Sequence, residues 1–364
     1  MERKLASIQK IINIEPIENA DNIEKLTILG WQLVSKKEQF KIGDLCVYCE
    51  IDSILPDKPE FEFLRPRKFR IKTIKLRGQI SQGLCLPLSI LPANRRWVEG
   101  DEVTKIIGVK KHDPQAEAEL KEIERIASIR NNRIFKFFKR YSWVRRLFIK
   151  NNRYNFPAFI RKTDEERVQN LSKEYPLWKD LKFDITEKLD GTSATYFLIK
   201  NKGISRLWKP YIFGVCSRNF HLIKNDGSVY WKIAKKLDIK KKLTRLADNG
   251  FDTHVLQGEI VGKGVQKNHY KLDDIQFYIF DLYKNNIRFN YSNMKELCKY
   301  LQIQPVPYIT ETTLPDTIEE AVNYSKGKSI LNSKIDREGI VVRNLNINIS
   351  FKIINPNFLL KYEE

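Results

Sequence analysis

The first 110 residues switch too quickly between apolar runs and turn residues to hold a long helix. KLASIQKIINIEPI, KLTILGWQLV, LCVYCEI, RIKTIKLRG and GLCLPLSIL read as short strands, and NADN, KIGD, LPDKPE and EGDE separate them. Short strands this closely spaced bury their apolar faces most simply in a small barrel or sandwich. From about residue 154 the texture changes. Longer strand-like runs (FDITEKLDGTSATYFLI, YIFGVCSRNF, THVLQGEIVG, IQFYIFDLY, EGIVVRNL, ISFKII) are separated by helical patterns at VYWKIAKKLDIKKKLTRLAD, NYSNMKELCKYLQI and TIEEAVNYSKG. That mixture predicts an α+β fold with mostly antiparallel strands. FPAFIRKTDEERVQNL predicts a helix capped near Thr163 and Asp164, with acidic residues in its first turn.

Between these halves, 112–129 favours helix, and 130–153 (RNNRIFKFFKRYSWVRRLFIKNNR) carries nine basic residues and no acidic one. Apolar residues recur there at helical spacing, which makes a basic amphipathic helix. Such a helix can offer Arg140, Arg145 and Arg146 to a phosphate backbone, lie on an anionic membrane, or be an insertion whose charge does little. The expected organisation is therefore 1–110, a strand-rich barrel; 111–155, a basic linker or insertion; and 156–364, a larger α+β domain.

At 364 residues the chain can bury two or three cores, and its net charge of +20 points first to nucleic acid and second to a membrane. The five cysteines are scattered. Cys46 and Cys49 form a lone CxxC inside a strand-like run, with no second pair at zinc-site spacing, so a reduced intracellular compartment is expected. No leader-like or membrane-spanning apolar run is present in the sequence, so a protein that stays in the cell is expected. His112, His221, His254 and His269 have no metal-like spacing and receive no role.

The chemistry is concentrated downstream. In EKLDGTSATY, Lys188 and Asp190 fall on the same side of a strand, and Gly191 lets the backbone turn beside them. A lysine amine with an ordinary pKa of about 10.4 attacks nothing at neutral pH; burial, neighbouring cations or a metal must favour its neutral form. Alone, KxDG is equally a solvated strand end. Arg218 in CSRNF suits a sugar or phosphate, and Glu259 in LQGEIVGKGVQ and Glu338 in REGIVVR add carboxylates. FYIFD offers aromatic rings, and Lys352 in SFKIINPNFLLK is a second strand lysine. Three carboxylates suit Mg²⁺ or Mn²⁺, and two lysines with an arginine suit a triphosphate.

The ordered series KLDG, SRN, GEIVGKG, FYIFD, EGIVV and FKI resembles the nucleotidyltransferase motifs of the covalent ligases and capping enzymes. With the flanks FPAFIRKTDEERVQNL and SFKIINPNFLLK, the chain resembles the ATP-dependent RNA ligases that carry an OB-fold module before the nucleotidyltransferase domain. In the N-terminal part, ENADNIEKLTILGW, FKIGDLCVYCEID and KLRGQISQGLCLPLS resemble OB-fold modules, with Lys75 and Arg77 beside a tight connection.

The resemblance implies the following roles. Lys188 attacks the ATP α-phosphate, giving lysyl-AMP; Glu187 meets adenine through its backbone; Phe277 stacks on the base, with Tyr278 as the alternative. Arg218 and Glu259 contact the ribose region. Asp190, Glu259 and Glu338 surround the metal, and Lys352 neutralises the α-phosphate. The partners implied are RNA ends with 3′-hydroxyl and 5′-phosphate termini in a nicked or bridged duplex, handled by a monomer. One departure stands out: some RNA ligases carry a lysine two residues before Lys352, where this chain has Ser350. DNA ligases and capping guanylyltransferases place their OB domain after the last motif, and only twelve residues follow Lys352, which argues against both. The rival from a different class is a nucleic-acid-binding protein whose catalytic half has decayed.

Overall fold

The computed structural model describes residues 4–113, 117, 153–222, 227–247 and 252–362. Arg140, Arg145 and Arg146, and most of the expected helix at 112–129, lie outside them.

The N-terminal part is a barrel, as its strand spacing requires. Strands β1 (Ala6–Pro16), β2 (Ile23–Ile28), β3 (Trp31–Lys36), β4 (Leu45–Cys49), β5 (Ser53–Ile54), β6 (Arg70–Ile71), β7 (Thr73–Leu76), β8 (Gln79–Gln82), β9 (Leu84–Leu86) and β10 (Lys110–Lys111) follow one another with one short helix, α1 (Thr104–Ile107). The main sheet runs β3-β2-β1-β4-β9, all antiparallel. A bulge in β1 between Ile11 and Asn13 lets that strand bend as it passes from β4 to β2. The Val34 amide donates to the Ser81 hydroxyl at 3.0 Å, bringing the β3 edge to the β7–β8 hairpin and nearly closing the barrel. In β2 and β3 alternate residues are buried, and Trp31, Tyr48, Ile8 and Leu26 meet inside. Arg77 and Gly78 both have positive φ, the backbone of a two-residue hairpin turn, so Arg77 stands exposed at its tip with Lys75 beside it. Cys46 and Cys49 are sealed in the barrel core, and all five cysteines are free buried thiols.

The C-terminal half is built on two sheets. One runs β11 (Arg153–Asn155), β16 (Phe220–Leu222), β15 (Tyr211–Cys216), β14 (Thr192–Lys200), β17 (Thr253–Val261), β18 (Gln276–Lys284) and β19 (Ile287–Arg288), with β20 (Gln304–Pro305) parallel to β18. The other runs β12 (Glu166–Arg167), β23 (Ile349–Ile354), β22 (Gly339–Asn344), β13 (Phe183–Lys188) and β21 (Tyr308–Thr312). Helices α2 (Val229–Lys236), α3 (Ile239–Ala247) and α4 (Tyr291–Leu301) cover the first sheet, and α5 (Ile318–Ser325) packs on the second. The last helix, α6 (Pro356–Tyr362), lies against β7 of the barrel.

One expectation is sharpened and one changes. VYWKIAKKLDIKKKLTRLAD is two helices, because Asp238 adopts a left-handed conformation between α2 and α3. The expected helix after Thr163 is instead an extended strap ending in β12 and a 3₁₀ turn, Val168–Leu171. Its carboxylates do not cap a helix; they reach across the molecule to distant cations.

Candidate active site

Lys188 is the last residue of β13, in one sheet, and Thr192 the first of β14, in the other. KLDG is thus the crossing point between the two sheets, and their strand ends converge on it. Gly191 sits there because of close approach rather than a special turn: a Cβ would lie 2.3 Å from the Ile260 carbonyl oxygen of β17. Lys188 pairs with Gly339, which places Glu338 across from the amine, and Glu259 pairs with Ser193. A cleft of about 640 Å³ opens over this junction.

The Lys188 amine donates to both Glu338 oxygens, at 2.6 and 2.7 Å, with both side chains largely buried. Burial alone would lower its pKa, but Glu338, Glu259 and Asp190 more than reverse this and hold it above its ordinary value. The carboxylates respond in kind. Burial, with Glu338 beside it, pushes Asp190 up to about 7 against the pull of Lys188 and Lys267. Burial, with Glu338 and Asp190, pushes Glu259 up to about 8 although Lys188 and Arg218 oppose it. Three acids around one amine leave an excess of negative charge in a confined place, a donor set suited to a divalent cation. Among the described residues no three His, Cys, Asp or Glu side chains converge closely enough to ligate a metal directly.

Across the cleft the charge reverses. The Asp164 carboxylate lies 3.1 Å from Lys352, 3.1 Å from Lys111 of the barrel and 3.3 Å from Arg218. Burial opposes its ionisation, but these cations hold it well below the usual carboxylate range. Three cations on one small anion form a phosphate-shaped arrangement. Next to it, Glu165 accepts from Ser350 at 2.7 Å and pairs with Arg288 and Arg343, each at 3.3 Å. Ser350, the departure from the RNA-ligase pattern, is thereby committed to holding this strap.

Glu187, Lys188, Asp190, Arg218, Glu259, Glu338 and Lys352 all line the one cleft. The Glu187 side chain is turned to structure, accepting from the Ile330 amide at 2.7 Å, while its own amide donates to the Pro307 carbonyl. Phe277 is a correction. Its ring is buried edge-on to Tyr196, 5.2 Å between centroids, in the core under α2 and α3. The residue of FYIFD on the cleft is Phe280, three positions on and therefore on the opposite face of β18. Tyr278 bonds Gln276 and is packed with Leu189 and Tyr270. Lys75 and Arg77 are exposed on the barrel hairpin, outside the cleft lining.

Sequence reasoning also passed over the loop after β17. Its Tyr270 hydroxyl accepts from the Asp190 amide at 2.7 Å, and Gln266 donates to the Gly191 carbonyl at 3.0 Å. His269 lies 3.5 Å from the Asp190 carboxylate and is wedged against Phe358 and Tyr362 of α6. This loop fixes the shape of KLDG. The only sequence signal for it was its place immediately after GEIVGKG.

A nucleophile-type lysine at a sheet junction, carboxylates on one side and cations on the other, behind an N-terminal barrel, defines the class of covalent nucleotidyltransferases with a leading OB domain. Comparison with known proteins agrees. An OB-fold domain family model matches residues 5–88, and the RNA ligase family model matches residues 181–362. Solved structures of Naegleria gruberi RNA ligase are similar along the whole chain. The form with PPi is 32% identical, with a TM-score of 0.79, covering 99% of each chain. A mutant with ATP and Mn is 31% identical, with a TM-score of 0.80, covering 100% of each chain. No curated protein sequence matches. The chain belongs to the RNA ligase family.

Proposed function

We propose that this protein is an ATP-dependent RNA ligase that joins a 3′-hydroxyl to a 5′-phosphate through lysyl-AMP. The observation that carries the reading is Lys188, hydrogen-bonded to Glu338 within a cleft that has carboxylates on one side and three cations on the other. In the first step the Lys188 Nζ lone pair attacks the α-phosphorus of ATP. The α–β phosphoanhydride bond breaks, pyrophosphate leaves, and the amine gives up its proton. An oxygen of the RNA 5′-phosphate then displaces Lys188 from AMP. Finally the 3′-hydroxyl attacks that 5′-phosphorus and AMP leaves.

The nucleophile must start neutral, and its neighbours hold it protonated. Asp190, Glu259 and Glu338 would hold a Mg²⁺ or Mn²⁺, whose positive charge would offset theirs and leave burial to lower the Lys188 pKa. The N. gruberi enzyme structures with ATP and Mn support that cofactor pair. Lys352 neutralises charge on the α-phosphate, and a phosphate entering there replaces Asp164 as the anion that Lys352, Lys111 and Arg218 share. Phe280 stacks on adenine, the Glu187 backbone meets its edge, and Arg218 and Glu259 reach the ribose. Lys75 and Arg77 contact the backbone of a nicked or bridged duplex, whose A-form shape and 2′-hydroxyls distinguish RNA from DNA.

Labelled ATP with Mg²⁺ tests the reading. The unmutated protein should form a covalent protein–AMP adduct and Lys188→Ala none. Absence of the adduct in the unmutated protein ends the ligase reading, and labelling from GTP instead of ATP would favour a capping-type reaction.

A further inference from the structure

Helices α2 and α3 carry a charge distribution that the nucleotide chemistry does not use. VYWKIAKKLDIKKKLTRLA, Val229 to Ala247, holds seven lysines and arginines and one acid, Asp238. Its apolar positions (Ile233, Ala234, Ile239, Leu243, Leu246, Ala247) are buried in the core shared with β14 and β17. The opposite face is therefore cationic by construction: Lys232, Lys235 and Lys236 on α2 and Lys240, Lys241 and Arg245 on α3 are all exposed. Of these, Lys236 is paired, to Asp274 at 2.6 Å, and among the described residues no carboxylate lies within ion-pair distance of the other five.

Both ends of α2 are fastened to segments that form the cleft. At its start the Tyr230 hydroxyl lies 2.9 Å from the Thr192 hydroxyl, one residue past Gly191. At its end Lys236 bonds Asp274 and, at 2.7 Å, the Ile275 carbonyl. Those residues close the loop that brings Lys267 into the cleft, and Lys263 of the same loop also faces Asp274. Lys236 of α2 and Lys263 thus meet at Asp274, on the loop whose Lys267 lines the cleft, while the exposed face of α2 and α3 lies on the other side of the sheet from Phe280. Each of these helices is about 12–14 Å long, so the ridge extends well beyond the reacting groups.

We propose that this face of α2 and α3 is a phosphate-binding ridge that holds the RNA strand leading away from the catalytic cleft. The proposal rests on the RNA ligase reading above. An anionic membrane is the other surface that attracts such charge, but a helix lying on lipid presents large apolar residues beside its lysines. No large hydrophobic side chain between 229 and 247 is exposed. Only the charge is offered, as phosphate-backbone contact requires.

The test compares Lys235→Gln/Lys240→Gln/Lys241→Gln with an equal loss of charge elsewhere, Lys179→Gln/Lys295→Gln/Lys299→Gln, all at exposed positions. Binding of a labelled nicked RNA duplex is measured from low to moderate salt, alongside adduct formation with labelled ATP and flotation with phosphatidylserine-containing vesicles. Three lost phosphate contacts should flatten the slope of log affinity against log salt by about 2–3 and weaken binding at least tenfold at low salt. The control triple should change the slope by less than one, and the protein–AMP adduct should form equally in all three proteins. An unchanged slope in the ridge variant with normal adduct formation overturns the ridge and leaves the ligase reading intact. Loss of vesicle binding with RNA binding retained assigns the face to lipid and overturns it equally. Failure of the unmutated protein to form the adduct is a failure of the underlying reading.

Discussion

Phe277 and Phe280 lie three residues apart on one strand and face opposite sides of it, so replacing each should have a different consequence. Phe277 packs on Tyr196 inside the core, and truncating it to alanine should cost about 3–5 kcal/mol of folding stability. Phe280 is half-buried and lines the cleft. Phe280→Ala should leave the melting temperature within a few degrees while raising the KM for ATP in adduct formation; loss of stacking costs about 1–3 kcal/mol, or roughly 5- to 150-fold. Thermal melts and adenylylation kinetics on both variants separate the roles, and an unchanged KM for Phe280→Ala removes it from the base site. The sequence could not make this choice because FYIFDL is apolar on both faces of the strand. Which face becomes core depends on where α2, α3 and α4 pack, a long-range fact. Lys188, Asp190, Glu259 and Glu338 were legible for the opposite reason. Each is a charged residue at the end of an apolar run, and such residues are found together when strand ends converge.

The strap between Ile160 and β12 is the element that sequence patterning read wrongly. Thr163, Asp164 and the following acids carry a helix-start signature, yet local capping is outbid by cations brought in from 111, 218, 288, 343 and 352. Nothing local encodes those pairings. Burial raises the cost of ionising Glu165, but Arg343, Arg288 and the Ser350 hydroxyl hold its pKa below the ordinary value. A carboxylate with a depressed folded-state pKa stabilises the fold above its unfolded pKa of about 4.3 and loses that contribution as pH falls through the folded value. Glu165→Gln leaves two arginines facing a neutral amide in a largely buried place, and should cost about 3 kcal/mol near pH 7. Denaturant titrations at several pH values should show the gap between unmutated and variant protein closing below about pH 4. A gap independent of pH would mean that the loss is one of packing and hydrogen bonding rather than charge.

At the scale of the whole molecule, the barrel is fixed to the catalytic half by a short polar seam. The Trp31 indole donates to the Asn170 side-chain oxygen at 2.7 Å. The Asn170 amide donates in turn to Glu50 at 2.7 Å and to Glu166 at 2.9 Å. Beside it the Gly30 amide bonds the Gln169 carbonyl, and Arg167 reaches Asp52 at 2.7 Å. The seam lies next to the cleft, to which the barrel contributes Asp52, Arg70, Lys111 and His112. Barrel orientation and phosphate charge are therefore set together, since Lys111 shares Asp164 with Lys352 and Arg218. Asn170→Asp removes the amide donor and places a third carboxylate against Glu50 and Glu166, while both cores stay as they are. The expected outcome is a looser joint: separate melting of the two halves by calorimetry and a larger radius of gyration in solution scattering. Sealing of a nicked duplex, which on the proposed reading engages barrel and cleft together, should fall at least tenfold. Sealing of the same duplex carrying a preformed 5′-AMP should fall as well, because that step depends on the alignment of the RNA. Lysyl-AMP formation should fall less than either, because the carboxylates around Lys188 belong wholly to the catalytic half. Equal losses in all three assays would show instead that the barrel is required for the nucleotide step itself, through Lys111 and its neighbours.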